Sequence, residues 1–505
     1  MKGSLLVLGT SSGAGKSTIV AGLCRSLRRR GVSVAPFKAQ NMSLNSYVTA
    51  EHGEMGRAQV VQARACGIEP HVTMNPVLLK PGSDARSQMV VLGRPVGELD
   101  GADWSSKHDL LELVVAAYRE LRDRYDVVIC EGAGSPAEVN LRASDIVNLG
   151  FARAAQVPAI LVGDIDRGGV FASLIGTLGV LDGADQDLIR GFVINKFRGT
   201  RSLLADGLDQ LRGATGRPVL GVVPMLAGRE IDTEDATDFS SWADGPAPLG
   251  EDVLTIGVVA LPRASNLTDL DPLVDEPGVI VRALYRPAAM ADCDLVIVPG
   301  TRATVTDLAW LRERGFADAL ARRAAAGRPV MGICGGYQML GREIDDDVES
   351  RVGRVAGLAL LPVRTVFEPV KVLAQVSRTL EDGSVVTGYQ IHHGRVVRDG
   401  GRALVADEGC LEGAVSGTTW HGLFENDAWR RRFLTDLGDA CAKRFVASPS
   451  TSFDERRTAR LDTLADLVDE HLDLAAIDEL LAAPVHARRP ARLRVSLDAT
   501  HASER

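Results

Sequence analysis

Pro329-Val-Met-Gly-Ile-Cys-Gly-Gly-Tyr-Gln338 sets a thiol between an apolar run and a glycine pair, the pattern of a buried strand, a tight turn and a helix start. A strand-to-helix bend lifts its side chain clear of the sheet, and the helix N-terminus behind it favours negative charge on sulfur. Cys334 thus has the setting of a nucleophile that attacks a carbonyl. Such a thiol needs a base. Trp420-His-Gly422 places His421 about 90 residues downstream, a separation at which partners meet through the fold rather than along the chain. Backbone N–H groups of Gly335, after the thiol, and of Gly300, in Val298-Pro-Gly-Thr301, are the expected oxyanion donors. Cys24, Cys66, Cys130, Cys293, Cys410 and Cys441 read as packing residues.

A second centre opens the chain. Gly9-Thr-Ser-Ser-Gly-Ala-Gly-Lys-Ser-Thr18 follows an apolar strand and begins a helix, the context of a phosphate-binding loop. Backbone N–H groups around Gly13 and Gly15 and at the helix start (Ser17, Thr18) would hold phosphate oxygens. Lys16 would neutralise them, and the Ser17 hydroxyl could reach Mg²⁺. Five residues, rather than the usual four, separate Gly9 from the Gly-Lys pair. Glu131 ends the strand Val127–Cys130 on the same sheet edge and is expected to complete the magnesium shell. Asp145, Asp164 and Asp166 lie near strand ends or in the loops after them. Asp145 is expected to orient the metal or a reacting carboxylate, with a helix-start cap as the equally common alternative. Asn195 and Lys196 close another strand, where an amide could read a purine edge.

These residues require an α/β frame. Strands are expected at Leu5–Leu8, Val32–Phe37, Val127–Cys130, Ala159–Gly163, Gly191–Ile194 and Val219–Val223, alternating with helices, which implies a parallel sheet over residues 1–226. Residues 227–252 turn to Asp, Gly, Ser and Pro and read as a linker. A second βα series, with strands at Thr255–Leu261, Val279–Arg282, Leu295–Pro299 and Val330–Ile333, fills 253–445. Helices are expected over 446–485, packed back on the body, and a frayed tail over 486–505. At 505 residues, with 45% apolar and 24% charged residues, the chain has the balance of a soluble multidomain protein. A net charge of −9 gives no footprint for nucleic acid, and no apolar run is long enough for a membrane helix, so a cytoplasmic location is expected. Seven cysteines without metal-ligand spacing argue against a disulfide framework or structural zinc. Arg28-Arg29-Arg30 ends a helix and reads as a solvated face. His392 and His393 are adjacent on a strand, point to opposite faces and do not suit one metal ion; one is expected to pack and the other to meet an interface or substrate.

With these residues laid out, the chain to about residue 480 resembles the cobyric acid synthases, glutamine-dependent amidotransferases of cobalamin biosynthesis. Phe37-Lys-Ala-Gln-Asn-Met-Ser-Leu-Asn-Ser46, Met74-Asn-Pro-Val-Leu-Leu-Lys-Pro81, Glu131-Gly-Ala-Gly-Ser-Pro136, Asp164-Ile-Asp-Arg-Gly-Gly-Val-Phe171 and Ile194-Asn-Lys-Phe-Arg-Gly199 resemble that family's blocks, in order. Gly388-Tyr-Gln-Ile-His-His-Gly394 and Trp420-His-Gly-Leu-Phe-Glu425 resemble its class I glutaminase domain. The loop spacing is that of the dethiobiotin-synthetase-like branch. The resemblance implies ATP, Mg²⁺ and glutamine, a corrinoid with four carboxylates to amidate, small-molecule partners only, and room for a homo-oligomer. Ordinary class I glutaminases carry a Glu two residues after the catalytic His; here that position is Leu423. A Cys334–His421 dyad is therefore expected, with Glu425 as the alternative third member. Rival readings are cobyrinic acid a,c-diamide synthase and, from another class, a partition-type ATPase, which would leave Cys334 and His421 idle.

Overall fold

The computed structural model describes residues 2–81, 86–100, 107–226, 242, 246–482 and 491–493. Most of the expected linker, and all but three residues of the expected tail, lie outside that set. β-Branched runs that are buried on both faces form the first sheet: β1 (Gly3–Gly9), β2 (Val34–Phe37), β3 (Val127–Glu131), β4 (Ala159–Asp164), β5 (Ile189–Phe197) and β6 (Val219–Pro224). All neighbours are parallel, in the order β6-β5-β4-β1-β3-β2. Continuous apolar strands of this kind need a layer on each face, because neither face meets water. The central strand β1 lies between β3 and β4, so the loop after it and the end of β3 share one edge, with Val7 in register with Glu131. Helices α1 (Lys16–Arg29), α2 (Arg57–Cys66) and α3 (Leu149–Ala155) belong to this half.

A second sheet of β7 (Leu254–Val259), β8 (Val279–Leu284), β9 (Leu295–Val298), β10 (Val330–Ile333), β11 (Cys410–Glu412) and β12 (Val415–Thr418) runs in the order β8-β7-β9-β10-β12-β11. Only β11 is antiparallel. Helix α4 (Gly335–Leu340) leaves β10 directly. The carboxyl ends of β9, β10 and β12 deliver Pro299-Gly300, Cys334 and Trp420-His421 to one crevice, the usual position for a site on an open parallel sheet.

Two additions were not legible as strands. Short strands Gln40–Met42, Val77–Pro81, Arg86–Val91 and Arg94–Asp100 make a small mixed sheet, and Ser46–Val48 pairs with Glu54–Gly56. A long hairpin, Val363–Thr379 with Val385–Arg398, reaches from the second domain to Ser46–Val48. Helices α5 (Phe453–His471) and α6 (Leu474–Ala482) return to the first domain: Leu461, Val468 and Leu481 share an apolar cluster with Ile19, Leu23 and Leu27 of α1. Arg29 pairs with Asp466 at 2.6 Å and Arg30 with Asp478, so the basic run at the end of α1 receives these helices instead of being merely solvated.

Candidate active site

The glycines around Cys334 are there for contact. A Cβ at Gly336 would lie 2.0 Å from Val298 O, and one at Gly335 would lie 2.7 Å from the Thr301 side chain, so the turn closes against the end of β9 only without side chains. Cys334 itself takes φ +48° and ψ −109°, a conformation that costs a residue with a Cβ and that persists because its N–H is bonded to Thr418 O at 2.8 Å. Gly335 N–H heads α4, where helical geometry offers no acceptor, and Gly300 packs beside His421 Cε1.

His421 is buried and faces Cys334, with which it is in hydrogen-bonding reach. Its ring stacks on Tyr389 at 5.3 Å between centroids. Nδ1 donates to Asp269 Oδ2 at 2.6 Å, and Gly422 N donates to Asp269 Oδ1 at 2.8 Å. Burial alone would drive the imidazole's pKa down; Asp269 and Cys334 reverse that and raise it to about 10. Nδ1–H toward a carboxylate leaves Nε2 as the nitrogen for proton exchange with a nucleophile. The expected dyad is thus corrected to a relay of three. Glu425 is not its third member, because both its oxygens are taken, by Arg57 Nη2 at 2.8 Å and Arg457 Nη2 at 2.7 Å. Asp269 sits on a short turn, Leu267–Leu270, that carries no motif in the sequence.

At the phosphate loop, Gly13 and Gly15 have φ +70° and +93°, and a Cβ on Gly15 would meet Asn195 Nδ2 at 1.9 Å. Asn195 Nδ2 donates to Ala14 O at 3.0 Å, and Lys196 Nζ to Gly13 O at 2.7 Å. Both residues therefore brace the loop from β5. Lys196 also pairs with Asp164 at 3.2 Å, while Asp166 pairs with Arg198 at 3.1 Å. Lys16 Nζ spans the loop to Ser11 O and Gly134 O at 3.0 and 3.1 Å, and Ser17 and Thr18 follow on the first turn of α1.

Ser17 Oγ donates to Glu131 Oε1 at 2.9 Å. Lys38 Nζ reaches the same oxygen at 2.8 Å, and Gln62 Nε2 bonds the other. Burial pushes the Glu131 carboxyl up, but Lys38, Gln62 and Lys16 outweigh it and hold the pKa below the ordinary carboxylate value. Ser17 and Glu131 are hard oxygen donors side by side and fit a magnesium ion that takes its other ligands from phosphate and water. Asp145 is elsewhere. Its Oδ1 accepts from Val147 N and Asn148 N, and its Oδ2 from Gly150 N, at 2.7 to 2.9 Å. Direct orientation of metal or substrate is therefore corrected to capping at the start of α3; Asn148, held there, bonds Ala133 N and O in the loop after Glu131.

The two centres share a wall. Ser46 N donates to Asn266 Oδ1 at 2.9 Å, and Tyr389 Oη to Ser46 O at 3.2 Å. Glu54 takes Lys80 at 2.5 Å and Lys371, from the long hairpin, at 2.7 Å. Helix α2 carries Arg57, paired with Glu425 four residues after His421, and Gln62, bonded to Glu131. Sequence reasoning quoted Lys38 and Ser46 within one block and missed what each does; a lysine and polar residues among buried positions were the available signal.

Residues 5–232 match the CobQ/CobB/MinD/ParA nucleotide-binding domain, and residues 255–429 the CobB/CobQ-like glutamine amidotransferase domain. Cobyric acid synthases of Frankia casuarinae and Rhodococcus jostii are 54% and 55% identical to the chain, each covering 97% of it and 99% and 98% of their own lengths. The chain belongs to the cobyric acid synthase family. That of Streptomyces avermitilis is 55% identical over 95% of this chain and 97% of its own. Family membership makes the protein an ATP-dependent, glutamine-using ligase of cobalamin biosynthesis, built from a nucleotide-binding half and an amidotransferase half. Among the described residues no helix is long and apolar enough to cross a membrane.

Proposed function

We propose that the chain converts adenosylcobyrinic acid a,c-diamide to cobyric acid in the cytoplasm by amidating its b, d, e and g carboxylates. The observation that carries the reading is the Cys334–His421–Asp269 relay, walled by the segment of the nucleotide-binding half that also reaches Glu131. His421 takes the Cys334 proton, and the thiolate attacks the glutamine carboxamide. The oxyanion is met by the N–H groups of Gly300 and Gly335, ammonia leaves with the proton from His421, and water releases glutamate from the thioester. In the other half the corrinoid carboxylate attacks the γ-phosphate of ATP, ADP leaves, and ammonia displaces phosphate from the acyl phosphate. Loop N–H groups around Gly13 and Gly15, and those of Ser17 and Thr18, hold the phosphates; Lys16 neutralises the moving group, and Asn195 and Lys196 keep the loop in place. Ser17 and Glu131 would hold Mg²⁺, which when bound supplies charge stabilisation at the transferred phosphoryl oxygens. Lys38 and Gln62 keep Glu131 ionised and oriented. Asp145 acts through the loop it caps. The test is Cys334→Ala, expected to abolish glutamine-dependent amidation and to retain synthesis from high ammonium. Equal loss with both nitrogen sources would overturn the two-site reading.

A further inference from the structure

The two oxyanion donors come from separate strand ends, and one buried side chain stands between them. Thr301 follows Gly300 on the segment after β9, and a Cβ at Gly335 would lie 2.7 Å from Thr301 Cγ2 and 3.2 Å from Thr301 N. A shift of Thr301 therefore changes the spacing of the two N–H groups. Its hydroxyl is pinned. It donates to Asp307 Oδ2 at 2.5 Å, with Arg263 O 3.0 Å away, and accepts from Ala303 N at 3.0 Å. Asp307 Oδ2 also accepts from Arg263 N at 3.3 Å, so one carboxylate oxygen ties the segment after β7 to the segment after β9. The same two segments meet where Ser265 N donates to Gly300 O at 2.8 Å and Arg302 N to Arg263 O at 3.1 Å. Asp307 is 1% exposed and is the fourth residue of the helix Thr304–Glu313, past the position from which a carboxylate caps a helix. Burial pushes its carboxyl pKa up, against the pull of Thr301 and the Arg263 backbone. An acid is costly to keep in such a place, and this one turns its bonded oxygen to the oxyanion segment.

We propose that Thr301 and Asp307 are the positioning pair of the oxyanion hole, the carboxylate holding the threonine and the threonine setting the spacing of the Gly300 and Gly335 N–H groups. Donors fixed in advance meet the tetrahedral oxygen without rearranging, which is where their effect lies. The pair therefore acts on the transition state and not on the binding of glutamine. The inference rests on the reading of Cys334 as the nucleophile, and the experiment separates the two. In the full-length enzyme, glutaminase kcat and KM are compared with inhibition by L-glutamate γ-semialdehyde. The Cys334 sulfur adds to the aldehyde carbon and the thiol proton passes to the aldehyde oxygen, giving a hemithioacetal whose oxygen stands where the oxyanion forms. Thr301→Val keeps the shape and loses the hydroxyl, and Asp307→Ala removes its acceptor. In both, kcat should fall about 10- to 100-fold, aldehyde affinity should fall in proportion, and KM should stay within about threefold of the parent. The double variant should lose little more than either single one, because the two residues act as a unit. Thr301→Ser, which keeps the hydroxyl, should stay within about threefold of the parent in kcat. Iodoacetamide, which loses iodide to the thiol and builds no oxyanion, should label Cys334 at the parent's rate, read by mass spectrometry, and ammonium-dependent amidation should persist. A fall in kcat matched by slower iodoacetamide labelling or by a raised KM would overturn the proposal, because the pair would then merely shape the pocket, and so would an unchanged kcat. Glutamine hydrolysis that survives complete labelling of Cys334 in the parent enzyme would instead overturn the nucleophile reading itself.

Discussion

Replacing Asp269 by Asn removes the charge beside His421 while keeping the shape of the side chain. In the structure one carboxylate oxygen accepts from the ring Nδ1 at 2.6 Å and the other from Gly422 N at 2.8 Å. An amide has one acceptor oxygen and one NH₂ group, so it can serve only one of those two donors. With NH₂ toward the ring, Nδ1 must become the acceptor and the proton moves to Nε2, the nitrogen that has to take the Cys334 proton. With NH₂ toward Gly422, two donors oppose each other and the turn that holds the ring loosens. In Ser-His-Asp enzymes the same change costs about 10⁴-fold in kcat, or roughly 5 kcal/mol. The Asp269–His421 pair is equally withdrawn from water, with side chains 6% and 1% exposed, so a fall of about 10³- to 10⁴-fold in glutaminase kcat is expected. The substitution also leaves burial as the main influence on a ring that now stands at about 10, so the limb of the pH profile that the ring sets should move to lower pH. Glutamate release followed from about pH 6 to pH 10 reads both effects, with ammonium-dependent amidation as the control for folding. A loss below about tenfold, with the limb set by the ring unmoved and ammonium activity intact, would refute the relay.

Lys38→Met should remove amidation with either nitrogen source by more than about 100-fold, because Glu131 loses its closest cation, while glutamine hydrolysis persists; normal ATP-dependent amidation would return Lys38 to packing. Asp145→Asn must set an NH₂ group against one of three backbone donors, so it should lower amidation from both sources and leave glutamine hydrolysis near normal; a fall in hydrolysis alone would contradict the cap. Burial raises the Glu425 carboxyl, but Arg457 and Arg57 hold it well below the ordinary carboxylate range. Its contribution to stability is therefore full above about pH 4.5, the unfolded value, and is lost as pH falls toward the folded one. Glu425→Gln should lower the thermal midpoint at pH 7 by an amount that shrinks toward about pH 3; a constant gap would show that the carboxylate is not held by its arginines.

What the residues determine by themselves is local. The bend at Cys334 and the loop at Gly9–Thr18 are legible because contiguous glycines, a nucleophile or cation and a following helix set their own backbone geometry, whatever the rest of the chain does. The strands are legible for a related reason, since buried parallel strands must be continuous apolar runs, and all ten expected ones are present with ends shifted by no more than three residues. The short strands between 40 and 100 escaped because runs of three to seven residues with mixed polarity carry little periodic signal, and the long hairpin because it is largely exposed. Everything that depends on two distant segments meeting was decided by tertiary structure. Asp269 and His421 are 152 residues apart, and a carboxylate on a plain turn has no spacing rule that joins it to a histidine on another strand end. Lys38 and Gln62 reach Glu131 only because β2 lies beside β3 and α2 packs near them. The same logic separates Glu425 from Asp145. Each looked chemical at its place in the chain, and each is occupied in the fold, one by two arginines and the other by three backbone N–H groups, because a half-buried carboxylate takes whatever donors the packing brings within reach.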